Sequence, residues 1–468
     1  MICSPTLKAR LPSMRVVCVD FGSTFTKLLV VDTEQGAVIA TSSSATTIES
    51  DVMDGFDNAK LLVAEVVPDV DNLPVHACSS AGGGLRLAVV GYERAITAEA
   101  GFRVGLSAGA KVVHVASGTA TTESVAELIE QVPDVVLLVG GTDGGNSEVL
   151  LANARVLASA GIDVPVVVAG NADVRDQVVH ILRRGKVVTY SCANVLPRIG
   201  VLDPVPARTT IREVFIDHVI GGKHLSSRTD LRTFVQAATP DAMLTGVELL
   251  ADGSDDAAGV GDVVVVDVGG ATTDVYSVIT PDAEQEHLER EAVSTLWRSR
   301  TVEGDLGVRW NAVGIVDAGV QERLIDADEA ARLTPHASQR VADPGYLPKD
   351  EIEAGIDRNL AELAATVALR RHARPHESGR VRYSGKDLRQ VALVVGSGGV
   401  LRHSSAPSSG EVMTRAVADP PGGWRNPERA RVVVDSTYVL AAAGLLATAH
   451  RAAAFRLLQR QLLVDAGS

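Results

Sequence analysis

Two stretches of the chain share one pattern: an apolar strand, a glycine turn, then a second apolar strand. Residues 17–32, VCVDFGSTFTKLLVVD, and residues 263–278, VVVVDVGGATTDVYSV, each end the first apolar run on an aspartate and follow it with small hydroxyl residues. Between them the pattern changes. KVVHVAS (111–117), DVVLLVGG (134–141), VPVVVAG (164–170) and KVVTY (186–190) predict strands. TTESVAELIEQV (121–132), NSEVLLANARVLASAG (146–161) and DVRDQVVHILRRG (173–185) predict helices. Strands separated by helical patterns of ~10–15 residues make βαβ units and a parallel sheet. Residues 208–220 carry the spacing of an amphipathic helix. The polar, glycine-rich DGSDDAAGVG at 252–261 predicts a boundary between two units. Beyond it, 327–378 reads as mostly helical and charged, 404–410 and 419–429 as loops, and 436–463 as one closing helix.

The two hairpins superpose with Asp20 on Asp267, Gly22 on Gly269 and Thr26 on Thr273. Farther on, VVLLVGGTDGG and VALVVGSGGV look like a second matched pair. Gly140 lies 120 residues after Asp20, and Gly396 lies 129 after Asp267. A repeat this long indicates duplication of an α/β domain rather than a stacked array. The expected layout is a flexible leader over 1–14, a first lobe over 15–251 and a second over 262–468. In it, GGTDGG takes the first-half place of the glycine loop at Gly396, as a relic of the symmetry that packs domains, with Asp143 a lesser candidate.

Composition narrows the class. The chain is 46% hydrophobic but only 3% aromatic, so Val, Ala and Leu build the core, as in parallel strands buried on both faces. Forty-four basic residues against 58 acidic ones leave a net charge of −14, which argues against a nucleic-acid partner. The longest apolar run, Val439 to Ala449, is 11 residues, short of the ~18–20 of a membrane span. The N-terminus lacks the apolar core of a signal peptide. Cys3, Cys18, Cys78 and Cys192 are too dispersed for a C-x-x-C metal site or a dense disulfide framework. These features describe a cytoplasmic protein with no membrane segment. His76, His114, His180 and His218 sit in apolar patterns and read as structural.

The hairpins carry the candidate chemistry. An aspartate beside a glycine is ordinary turn chemistry when it occurs once. Here it occurs twice, each time at the end of an apolar strand where a carboxylate is costly to place. Glycines let successive backbone N–H groups reach phosphate oxygens. Ser23, Thr24, Thr26, Thr272 and Thr273 add neutral donors beside Gly22, Gly269 and Gly270, and Lys27 offers a point charge. Asp20 and Asp267 are candidates to hold Mg²⁺ through its retained waters. A third element, VALVVGSGGVLRH (391–403), runs a buried strand into Gly396, Ser397, Gly398 and Gly399, glycines that permit close backbone approach to a nucleotide.

These three motifs, in this order, resemble the actin–Hsp70–sugar-kinase superfamily of ATPases. The resemblance implies two duplicated ribonuclease-H-like lobes around a nucleotide cleft, here with an inserted βαβ-rich region, and ATP with Mg²⁺ as cofactors. A narrower resemblance spans most of the chain. DFGSTFTK, SSAGGGLRLAVVG (79–91), LLVGGTDGGN (137–146), VLPRIGVLDPVPARTTIREVFIDHVI (195–220), TVEGDLGVR (301–309) and DSTYVLAAAGLL (435–446) are similar to the MutL/GlmL family, which is unrelated to the mismatch-repair protein of the same name. That resemblance implies a chaperone-like ATPase. Its partner would be an adenosylcobalamin-dependent mutase of the glutamate mutase type, and it would exchange damaged cobalamin for intact. It also brings Glu303 and Asp305 forward, one of which would orient the attacking water or a metal water. Three other readings stay open on the fold alone: a small-molecule kinase, an iron–sulfur activator of radical dehydratases, and an actin-like filament protein.

Overall fold

A computed structural model describes residues 14–222, 225–280, 298–374, 376–378, 381–383, 386–419 and 425–464. Residues 1–13 of the leader, with Cys3, and part of the 419–429 segment lie outside the described residues. Three five-stranded sheets organise the chain. The first contains β1 (Arg15–Phe21), β2 (Phe25–Asp32), β3 (Ala37–Ala45), β4 (Val75–Ser79) and β10 (Val235–Ala238), ordered β3-β2-β1-β4-β10. Another contains β11 (Val263–Val268), β12 (Thr273–Val278), β13 (Arg298–Glu303), β14 (Leu393–Ser397) and β15 (Arg431–Val434), ordered β13-β12-β11-β14-β15. Both run 3-2-1-4-5. Both make antiparallel pairs among their first three strands and parallel pairs among the rest. This is the duplicated ribonuclease-H-like topology of the actin-like ATPase fold.

Alternation along the strands decides what packs where. Val17 and Val19 face one core, with the helix Val52–Val63, while Val16 and Cys18 face another. Val264, Val266 and Val268 turn toward the long helix Glu351–Ala373, and Val263 and Val265 turn the opposite way. The faces of Val16 and Val263 belong to one continuous core. Filling it are the helices Thr239–Asp252 and Val439–Leu446, held between the two sheets. These helices follow β10 and β15, the fifth strand of each half, and cross backbone to backbone. A Cβ on Gly246 would stand 2.1 Å from the Leu440 carbonyl oxygen, and one on Gly444 would stand 1.9 Å from that of Ala242.

The third sheet holds β5 (Arg86–Gly91), β6 (Lys111–Ser117), β7 (Val135–Leu138), β8 (Val166–Val168) and β9 (Thr189–Ser191). Its order is β6-β5-β7-β8-β9 and every pair is parallel. The βαβ expectation for 111–190 holds, with β5 added between β6 and β7. The sheet is inserted between β4 and β10, and this corrects the downstream half of the repeat. In register, Asp20 pairs with Cys78 on β4, and Asp267 pairs with Ser397 on β14. The counterpart of the Gly396 loop is therefore the turn after β4, not GGTDGG, which is a βα loop of the inserted sheet. There Asp143 fastens neighbouring loops: its Oδ1 accepts from Ala172 N at 2.9 Å and from Asn194 Nδ2 at 2.9 Å.

Two further expectations change. The 404–410 loop is largely the first turn of a helix, Ala406–Ala418, with Ser405 as its cap and a proline in its first turn. Both are helix-start signals that composition alone reads as loop. The single closing helix is two, Val439–Leu446 and Arg451–Leu458, separated by a turn at 447–450. The turn frees the second piece to cover the first lobe, where Arg456 donates to the Glu34 carbonyl at 3.0 Å. Cys18, Cys78 and Cys192 are unpaired. No helix among the described residues is long and apolar enough to cross a membrane.

The crossing makes a direct prediction. Gly444→Ala should cost about 1–3 kcal/mol, because a methyl group must push two helix backbones apart. Gly410→Ala lies in a helix with nothing within 4 Å of the new Cβ, and should gain up to about 1 kcal/mol. Chemical denaturation of both variants measures the contrast. Equal effects would mean that the crossing is not tight.

Candidate functional site

The two hairpin tips face each other. A Cβ on Gly270 would lie 2.9 Å from the Thr24 hydroxyl oxygen. Each tip closes the same way, with Gly22 N donating to Phe25 O at 3.2 Å and Gly269 N to Thr272 O at 2.9 Å. Behind each tip, β-pairing sets one residue opposite each aspartate. Opposite Asp20 is Lys27, and opposite Asp267 is Asp274. The halves therefore share a backbone and differ in charge.

In the first hairpin the buried Asp20 is fully engaged. Its Oδ2 accepts from Lys27 Nζ at 2.8 Å, and its Oδ1 accepts from Thr239 Oγ1 at 2.5 Å. The Cys78 thiol lies 3.6 Å from Oδ1, and burial first, then Asp20, pushes that thiol's pKa well up. In the second hairpin, Asp274 takes Arg300 Nε at 2.8 Å and the Thr272 hydroxyl at 2.9 Å. Arg300 also reaches the Ala110 carbonyl of the inserted region at 3.4 Å. Lys27 neutralises Asp20, and Arg300 neutralises Asp274. Asp267 has no ion-pair partner among the described residues. It keeps an edge open to the cleft but is surrounded by protein. Burial, opposed by Lys27 and reinforced by Asp274, pushes its pKa up to about 6.

An uncompensated carboxylate between two glycine turns is a place for a cation. Among the described residues no three or more His, Cys, Asp or Glu side chains gather into a metal cage. That suits Mg²⁺, which binds through one or two carboxylates, its own waters and substrate phosphates. Two buried side-chain oxygens beside the cleft, Thr24 Oγ1 and Ser397 Oγ, lack hydrogen-bond partners. The Ser397 hydroxyl stands beside Asp267 and favours its charged form against burial. Orphan hydroxyls of this kind fit a polyphosphate whose oxygens would complete them.

The candidate residues divide by what they already bind. Thr26 shares its hydroxyl with Thr46 at 3.1 Å, and Thr273 donates to Leu306 O at 2.6 Å. Both are fully buried. With Thr272 held on Asp274, the free hydroxyls are those of Ser23, Thr24 and Ser397. In the third motif, Gly396 packs under Met413, where a Cβ would lie 2.5 Å from its Cγ. Gly398 adopts φ +112°, and its Cβ would meet the Val268 carbonyl oxygen at 2.1 Å, so it seats the loop on the second hairpin. Gly399, with nothing within 4 Å, is the glycine that looks onto open space.

Glu303 ends β13 opposite Thr273, at the base of the second hairpin. Arg371 clamps it and Asp305 together, at 2.8 Å to Glu303 Oε2 and at 2.8 and 2.9 Å to the two Asp305 oxygens. The outcomes differ. Burial lifts the Glu303 pKa despite Arg371, whereas at Asp305 Arg371 outweighs burial and holds the carboxyl low. The following segment braces the hairpin from behind, with Val308 N donating to Gly269 O and both Arg309 N and Trp310 N to Gly270 O.

Sequence reasoning missed Thr239, Cys78, Tyr438, Asp274, Arg300 and Arg402. Asp274 had a signal, since it stands in the hairpin where Lys27 stands in the first. Arg402, three residues after Gly399, faces Asp435 and Tyr438, and its burial draws its pKa down. Thr239 and Tyr438 open the two crossing helices and have no signal of their own.

The lone carboxylate predicts a pH effect. The pKa of Asp267 rises from an unfolded value near 3.8 to about 6, so the folded chain binds the extra proton more tightly. Its cost to stability grows as pH rises from about 4 to about 6 and is complete above that. Asp267→Asn removes the cost. Without ligand it should melt roughly 2 °C above wild type at pH 8 and level with it near pH 4. Thermal melts across pH check this, and a variant less stable at pH 8 would refute it.

The family model described as MutL protein matches residues 16–462. Protein MutL of Clostridium tetanomorphum is 37% identical over 455 residues, spanning 95% of this chain and 98% of that one. Among solved structures, nucleotide-free acetone carboxylase aligns at TM-score 0.38 and 14% identity, over 93% of this chain and 70% of that one. Xylulose kinase from Bifidobacterium adolescentis aligns at TM-score 0.33 and 12% identity, over 97% and 96%. Those two superpositions are loose, and the strand order of the sheets carries the fold without them. With a family model matched from one end to the other and a full-length relative at this identity, the chain belongs to the MutL protein family.

Proposed function

We propose that this protein is a cytoplasmic ATP-dependent reactivating factor for an adenosylcobalamin-dependent mutase of the glutamate mutase type, exchanging damaged cobalamin for intact. Membership of the MutL family supports the choice of partner, and the charge pattern of the cleft supports the Mg·ATP site. Asp20 and Asp274 each have a built-in cation, and Asp267 alone does not. Residues 15–251 and 262–468 are, on this reading, the two lobes that close on the nucleotide.

The chain's own groups divide the work. Backbone N–H groups of Ser23 and Thr24 on one tip and of Gly270 on the other approach phosphate oxygens from opposite sides, and the Thr24 and Ser397 hydroxyls complete the shell. Mg²⁺, when bound, would supply positive charge beside the phosphates. Asp267 would hold that ion, through its waters, while Asp20 stays fixed by Lys27 and Thr239. Glu303, more basic than an ordinary glutamate and next to the second hairpin, orients the attacking water. Arg371, itself anchored on Asp305, keeps it in place by a direct bond. Gly399 leaves room for the nucleoside. Closure turns on the helix crossing and supplies two states with different affinity for a partner, which coupling requires.

The test is reconstitution. A mutase encoded beside this chain is inactivated with hydroxocobalamin, then given this protein, ATP, Mg²⁺ and fresh adenosylcobalamin. Activity should return only with ATP. Asp267→Asn should lower hydrolysis by roughly 100-fold, about 2.7 kcal/mol of barrier, while the complex with the mutase still forms. Recovery equally fast without ATP would overturn the proposal. So would stoichiometric transfer of the γ-phosphate to a metabolite, which would make the protein a kinase.

A further inference from the structure

Lys27 stands within electrostatic reach of two carboxylates but pairs with one. Its ammonium is 2.8 Å from Asp20 Oδ2, whereas Asp267 feels its charge without a salt bridge. Strand pairing explains part of this choice, since Lys27 is directly opposite Asp20. A lysine side chain has four rotatable bonds, however, and the pairing fixes only its root. Something must hold the ammonium on its own hairpin.

The other contact to that ammonium is aromatic. Lys27 Nζ lies 4.1 Å from the centre of the Tyr438 ring. Tyr438 is 4% exposed and has φ +59° and ψ +44°, left-handed values rare for a bulky side chain. Such a conformation persists only where its surroundings impose it. Here Asp435 imposes it. Its carboxylate accepts from Val439 N at 2.9 Å and Leu440 N at 3.0 Å, and its own N–H is anchored on Gly396 O at 2.8 Å. This bend starts the crossing helix Val439–Leu446 and turns the ring toward the first hairpin. Gly22 leaves the opposite side clear, since a Cβ there would be 3.4 Å from Lys27 Nζ.

We propose that Tyr438 is a positioning residue for Lys27: its ring face holds the ammonium on Asp20, so that Asp267 stays free for a hydrated cation. This rests on the cleft being the Mg·ATP site. It also ties the first hairpin to the crossing helix, because the ring and the first helical turn move as one piece.

A double-mutant cycle tests the pair. Calorimetry measures Mg·ATP binding for wild type, Tyr438→Phe, Tyr438→Asn, Lys27→Met and the Tyr438→Asn/Lys27→Met double variant. Asparagine tolerates the left-handed backbone, so loss of the ring is separated from loss of the turn. Tyr438→Phe keeps the ring face and should bind within twofold of wild type. Tyr438→Asn should bind about five- to thirty-fold more weakly, the range of a desolvated cation–ring contact. In the Lys27→Met background the same change should alter binding less than twofold. Tyr438→Leu, which keeps an apolar side chain but removes the ring, should repeat the loss if the asparagine variant folds poorly. Equal losses with and without Lys27, or a phenylalanine variant as weak as the asparagine one, would overturn the positioning role and leave the nucleotide site standing. A wild type that binds no Mg·ATP would overturn both.

Discussion

Everything in this molecule hangs on the place where two helix backbones touch. Gly246 and Gly444 let the helices after the fifth strand of each half come closer than any side chain would allow. Both sheets then rest on the same pair of helices, and one continuous apolar core joins the halves. Thr239, the first residue of one helix, and Tyr438, just before the other, thereby arrive at the hairpins. The crossing is the pivot of the fold, and it also delivers side chains to the cleft from two strands that are far from the hairpins in sequence.

Charge then does what backbone symmetry cannot. Two hairpins of the same geometry would make a symmetric clamp. Lys27 on one and Asp274 on the other break the symmetry, and Arg300 then cancels Asp274. What remains is a single carboxylate, Asp267, that is expensive to keep ionised in its surroundings. A protein selected only for stability would remove it. Its position opposite an Asp20 that is already satisfied is the strongest physical argument that the cleft takes a cation with its phosphates.

The inserted parallel sheet adds a third body that the duplicated plan does not require. It enters between the fourth and fifth strands of the first half, and it touches the second half where Arg300 reaches Ala110. The same arginine holds Asp274, and Asp274 holds Thr272 at the second hairpin. A continuous polar chain thus runs from the hairpin tip to the insertion, through groups with little solvent to screen them.

The sequence by itself determined the local devices. Runs of valine ending in Asp-x-Gly specify buried strands and tight turns, the alternation over 111–190 specifies a parallel sheet, and the repeat of the first motif specifies duplication. These are short-range properties, written in neighbouring residues. Tertiary structure alone decided the pairing of distant elements. Glycine loops after strands look alike, so Gly140 passed for the partner of Gly396 until strand order assigned that place to the turn after β4. Hydroxyl residues also look alike, and only packing set Thr26 and Thr273 aside and left Thr24 and Ser397 without partners. The roles of Thr239 and Tyr438 are invisible in one dimension, because a side chain at the start of a helix acquires its partner from where the helix is docked. That docking is fixed by a glycine contact between residues almost two hundred positions apart.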